Sequence, residues 1–174
     1  MSRLAWLTDL HFNFLPYQKV DEFLDRILRL EVDGVVITGD ISEAHDLAGV
    51  LSHMDDRLGC PLYFVLGNHD FYHGSIHAVR DTVSGLATVR ANLHYLTAAM
   101  EPIELTPRAA IVGHDGWADA RIGDYERSLI MMNDYKLIAE LSHMTKQQRW
   151  PLLQVLGDAA AEHIQLVLPP ALDR

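Results

Sequence analysis

The sequence predicts an α/β domain that opens with a β-α-β-α-β unit, and two observations carry this reading. Short, nearly continuous apolar runs, LAWLT (4–8), GVVIT (34–38) and PLYFVL (61–66), have the length and β-branched content of buried parallel strands. Between them lie amphipathic stretches with helical spacing. Polar and glycine residues follow each run, as expected where strands end in loops.

The elements follow in order. YQKVDEFLDRILRL (17–30) places Val20, Phe23, Leu24, Ile27 and Leu28 on one helical face. EAHDLAGVLSHMDDRLG (43–59) reads as a second helix, with Gly59 as its stop and Glu43 at its start. Unbroken apolar strands on either side of these helices imply a sheet covered on both faces. SIHAVRDTVSGLATVR (75–90) reads as a third helix, and LHYL (93–96), PIEL (102–105) and AAIVG (109–113) as short strands. A polar loop, HDGWADARIGD (114–124), precedes two helical segments, 129–141 and 145–163, and a last strand, IQLVL (164–168). Thr145 with Gln148 has the form of a capping box, while Pro151 kinks that helix or delays its start. Met131, Met132 and Met144 fall on apolar stripes that read as core.

Composition bounds the function. The 174 residues, 49% apolar and 22% charged, suit a single domain, 1–174. No run reaches the length of a membrane span, and the N-terminal residues lack the pattern of a signal peptide. The expectation is a cytoplasmic chain, consistent with its single Cys60, which cannot form an internal disulfide. A formal net charge of -10 without a basic cluster argues against non-specific nucleic-acid binding. It leaves phosphate esters open as substrates, because bound cations reverse the local field.

Ligand-type residues end each of the first three strands: Asp9 and His11, then Asp40, then Asn68, His69 and Asp70. Loops beyond the carboxyl ends of neighbouring parallel strands meet in one crevice, so these residues should converge. In an extended Asp-x-His, both side chains point the same way. Gly39 and Gly67 allow the close backbone approach that this convergence needs.

The motifs DLH (9–11), GD (39–40) and GNHD (67–70), in this order and separated by β-α units, resemble the first three motifs of the calcineurin-like metallophosphoesterases. The resemblance implies a metallophosphoesterase-like β-sandwich flanked by helices, and hydrolysis of a phosphomonoester or phosphodiester by attack of a metal-bound hydroxide. It further implies up to two divalent ions, Mn, Fe or Zn. Asp9 and His11 would hold the first, Asp40 would bridge, and Asn68 would bind the second. His69 would stand beside the ions, contact the phosphoryl group and protonate the leaving alcohol. Asp70 would orient His69 or cap the following turn. Glu43 stands where phosphoprotein phosphatases of the family carry an Asp, but the Arg-Gly that follows there is absent.

Two further family motifs, a later His after a fourth strand and Gly-His-x-His, are not found, and the chain passes from Leu168 to PPALDR. The expectation is therefore that the C-terminal strands are missing and that this chain holds one ion or a weak pair rather than a full centre. Gly113-His114 imitates the start of the last motif, which makes His114 a candidate for substrate contact. An open sheet edge left by missing strands favours a homodimer. The alternative function is a catalytically silent domain that acts by association. A dinucleotide-binding domain is disfavoured, since no Gly-x-Gly-x-x-Gly follows the first strand.

Overall fold

A computed structural model describes residues 3–172. Four parallel strands, β1 (Leu4–Leu7), β2 (Gly34–Thr38), β3 (Leu62–Val65) and β4 (Leu93–Tyr95), form one sheet in the order β1-β2-β3-β4. They are connected by helices α1 (Tyr17–Leu28), α2 (Leu47–Leu58) and α3 (Ile76–Val89). The register Val35↔Leu62 and Ile37↔Phe64 aligns four buried side chains on one face. Against this cluster α1 brings Val20, Leu24 and Ile27, and α2 brings Leu47, Leu51 and Met54.

The expectation of a sheet covered on both faces holds for only part of it. Trp6, Val36 and Thr38 alternate onto the opposite face, where Trp6 is 73% exposed and its indole Nε1 donates to Thr38 Oγ1 at 3.1 Å. Over β3 that face is closed by the segment around Gly113. A Cβ on Gly113 would stand 3.1 Å from Val65 Cγ1. Strands β5 (Ile103–Thr106) and β6 (Ala109–Ile111) form a separate antiparallel pair.

Four local expectations are corrected. α2 starts at Leu47, four residues after Glu43, because the amides of Ile41 and Ser42 are held at 2.8 Å by the Asp70 carboxylate, which keeps this stretch a loop. The helix expected over 129–141 shrinks to α4 (Asp134–Leu137). Ile138 leaves it to bridge Gly74, with the His73 amide donating to Leu137 and the Ala139 amide to Gly74, so tertiary pairing overrides helical periodicity. Met131 and Met132 are consequently 59% and 41% exposed and are not core.

The last correction concerns IQLVL, which forms no strand but continues α5 (Lys146–Leu172). The inward residues of α5, Leu153, Leu156 and Val167, follow the helical spacing. α5 does begin with the capping box. Gln148 N donates to Thr145 Oγ1 at 3.3 Å, and Thr145 N donates to Gln148 Oε1 at 2.9 Å. Pro151 lies inside this helix without delaying its start.

Candidate metal centre

The three strand-end loops are stitched together by backbone. Asp9 N donates to Gly39 O at 3.2 Å, His11 N to Asp40 O at 2.9 Å and Phe12 N to Ile41 O at 2.9 Å, which prolongs the β1–β2 pairing into the loops. The third loop joins through His69 N, which donates to Asp40 Oδ1 at 3.1 Å. Gly67 permits this approach. A Cβ there would lie 2.0 Å from Asp40 Oδ1 and 2.6 Å from Asp40 N.

The backbone is strained where the loops meet. Asp9, His11 and Asp40 have φ of 52°, 46° and 52°. Each such left-handed residue costs roughly 1–3 kcal/mol, and strain of this kind gathers at functional sites. It also changes the Asp-x-His geometry. The segment is not extended, and Asp9 is not among the residues that His11 joins.

His11, Asp40 and His69 do converge, with ligand atoms within 4.8 Å of one another. His11 Nε2 stands 3.8 Å from Asp40 Oδ2. The His69 ring meets that of His11 edge-on at 4.5 Å and lies over Tyr72 at 4.2 Å between centroids. The Nδ1 atoms of His11 and His69 are buried without a hydrogen-bond partner. The His11 imidazole facing the Asp40 carboxylate is a mixed nitrogen and oxygen donor pair that suits a divalent cation, and the His69 ring stands beside it.

The other expected site residues are placed differently. Asp9 is exposed, lies outside the cluster and accepts from the Thr8 hydroxyl. Asn68 donates to Asp134 Oδ1 at 2.8 Å and to Tyr72 Oη at 3.0 Å, while Tyr72 Oη donates to Asp134 Oδ1 at 2.7 Å. With both amide protons engaged, what Asn68 can offer an ion is its oxygen. Asp70 makes no bond to His69. Its Oδ1 accepts from the Ile41 and Ser42 amides and its Oδ2 from Gly67 N, each at 2.8 Å. Burial pushes its carboxyl up to about 7, opposed by the three amides and reinforced by the nearby Asp40. Asp70 is a clasp between two loops.

His114 lies outside the cluster. Its Nδ1 accepts from Gly116 N at 2.9 Å, its ring lies 5.1 Å from that of His163, and burial pushes its pKa down. Its neighbour Asp115 is the anchor of this loop. Asp115 accepts from Leu66 N, Thr97 Oγ1, Tyr95 Oη and Arg80 Nε at 2.5–2.9 Å, which ties the loop to the end of β3. Sequence reasoning misses Asp115, Tyr72 and Asp134 because none stands in a strand-end motif, and the adjacent His114 is the one signal that points toward Asp115.

A model of the calcineurin-like phosphoesterase family matches residues 2–158. No curated protein matches the chain. Among solved structures, the phosphopantetheinyl hydrolase PptH from Mycobacterium tuberculosis is similar at a TM-score of 0.61 and 15% identity, over 95% of this chain and 64% of that one. TT1561 of Thermus thermophilus is similar at a TM-score of 0.54 and 12% identity, over 68% of this chain and 52% of that one. The chain thus spans between half and two thirds of the length of these structures, and at such identities the likeness concerns the fold. The parallel sheet with flanking helices is that of the family. With the family match covering most of its length, this chain belongs to the calcineurin-like phosphoesterases.

Proposed function

We propose that the protein is a metal-dependent phosphoesterase, acting on a phosphomonoester or phosphodiester. The convergence of His11, Asp40 and His69 from three successive strand-end loops carries this reading. His11, Asp40 and the Asn68 oxygen would hold a divalent ion, manganese, iron or zinc. When bound, such an ion supplies Lewis acidity toward phosphoryl oxygens and lowers the pKa of a coordinated water.

The chain's own residues do the rest. The His69 amide fixes one oxygen of Asp40, which leaves the other to face His11. Asp134 and Tyr72 orient Asn68. His69, wedged between the His11 and Tyr72 rings, would hold a proton for the leaving alcohol. Asp70 holds the loops in place and takes no part in proton transfer. Asp9, outside the cluster, is not needed for a single ion.

The test is metal analysis of the chain reconstituted with manganese, beside hydrolysis of bis-p-nitrophenyl phosphate. Asp40→Asn should lose both metal and turnover, and His69→Asn should keep metal and lose turnover. A His69→Asn variant emptied of metal would make His69 a ligand. A wild-type chain without ion or turnover would make this a silent domain that acts by association.

No helix among the described residues is long and apolar enough to cross a membrane. We place the enzyme in the cytoplasm, and its acidic composition argues against non-specific nucleic-acid binding. The β1 edge beside exposed Trp6 supports a homodimer, which sedimentation would reveal.

A further inference from the structure

The loop before α4 carries an unusual load of exposed apolar side chains: Ile122 is 96% exposed, Leu129 98%, Ile130 78% and Met131 59%. They border a groove of about 600 Å³ that continues past Met132 and Tyr135 to Met144. This is within the size range of small-molecule sites, which are mostly apolar with few polar groups.

The groove leads toward Asn68. Ala118, Met132 and Tyr135 also line a second hollow of about 380 Å³, whose far wall is Gly67 and Asn68. Gly67 in turn lies against Asp40. A ligand whose phosphoryl group is held beside Asn68 would meet this hollow and then the apolar groove as the neighbouring surface.

The groove's charged groups are already engaged. Lys146 Nζ donates to the Glu126 and Ser128 carbonyls at 3.0 and 2.6 Å. The Arg149 guanidinium is buried over the Tyr135 ring and donates to the Leu141 and Met144 carbonyls at 3.0 and 2.8 Å. Asp124 accepts from Arg127 N at 3.0 Å. Little remains to recognise a nucleotide's second phosphate or a charged peptide, whereas hydrocarbon would be covered.

We infer that the groove receives the apolar part of the substrate, and that the enzyme acts on phosphate esters of alcohols bearing an alkyl or acyl chain. This inference rests on the phosphoesterase reading, but its test is a binding comparison and separates the two. Calorimetry of the full chain with manganese would compare octylphosphonate, below its micelle concentration, with methylphosphonate. The two share a headgroup and differ in methylenes.

Octylphosphonate should bind at least tenfold tighter, and on the order of a hundredfold if about four methylenes are covered. The double variant Ile130→Asp with Met131→Asp changes two exposed residues of the groove's border. It should erase that advantage and leave methylphosphonate affinity unchanged. Equal affinity of the two probes in the wild type would overturn the inference, and so would an octyl preference that survives the double variant. Loss of a dimer in the double variant, with no octyl preference in the wild type, would instead make the groove a contact between two copies. An octyl preference in a protein that hydrolyses nothing would keep the groove and refute only the hydrolase reading.

Discussion

Gly67→Ala tests the architecture of the centre at its tightest point. The new Cβ would stand 2.0 Å from Asp40 Oδ1, 2.8 Å from its Cγ and 2.6 Å from its backbone nitrogen. Rotating the carboxylate away relieves the first two clashes but breaks the bond from His69 N. The third clash is with backbone already pinned by the bonds from Asp9 N to Gly39 O and from His11 N to Asp40 O, so the Asp40 turn itself has to shift. Overpacking of this kind costs about 1–3 kcal/mol, and the lost hydrogen bond adds about 1 kcal/mol. For a chain of this size the sum, about 2–4 kcal/mol, lowers the melting temperature by about 4–16 °C. Thermal denaturation followed by circular dichroism reads this, and manganese titration should show the ion lost. Gly85, in the middle of α3, is the control. A Cβ there meets nothing within 4 Å, so Gly85→Ala should raise the melting temperature by about 1–4 °C. A Gly67→Ala protein that melts with the wild type and binds manganese equally would refute the close approach of the two loops.

Three further outcomes are expected. Asp134→Ala should weaken manganese binding about 10–100-fold in calorimetry by releasing Asn68, and an unchanged Kd would remove Asp134 as a positioning residue. Asp70→Asn puts an amide NH2 against either Gly67 N or the Ile41 and Ser42 amides, where donors face donors. It should cost about 2–4 kcal/mol in urea denaturation, and a midpoint equal to wild type would show that the clasp contributes nothing. Glu140 accepts from Ser75 Oγ, Ile76 N and His77 N at the start of α3. Burial pushes its pKa up, but these donors outweigh it and hold the carboxyl below its ordinary 4.5. The depressed value means that its contribution is complete above that pH and fades as pH falls through the lower folded value. Glu140→Gln should therefore melt below wild type at pH 6, with the gap closing toward pH 3. A gap that is constant with pH would exclude the ionised carboxylate as its source.

The sequence by itself determined the β-α-β-α-β order, because strand and helix periodicities are local and the short apolar runs between amphipathic segments admit one reading. It also determined that Asp40 and His69 meet, since in a parallel sheet the ends of successive strands are neighbours whatever the loops do. Tertiary structure decided the rest. Asp9 lies outside the cluster that His11 joins, in a segment that left-handed Asp9 and His11 take away from an extended form, and such strain is held by bonds to a second loop that no local pattern reports. Asp70, Asp115 and Asp134 are three aspartates of the same chemistry, and only the donors around them separate a loop clasp, a loop anchor and the residue that orients Asn68. The run IQLVL is apolar enough for either strand or helix. It became helix because it continues α5, whose Leu153, Leu156 and Val167 turn inward at helical spacing.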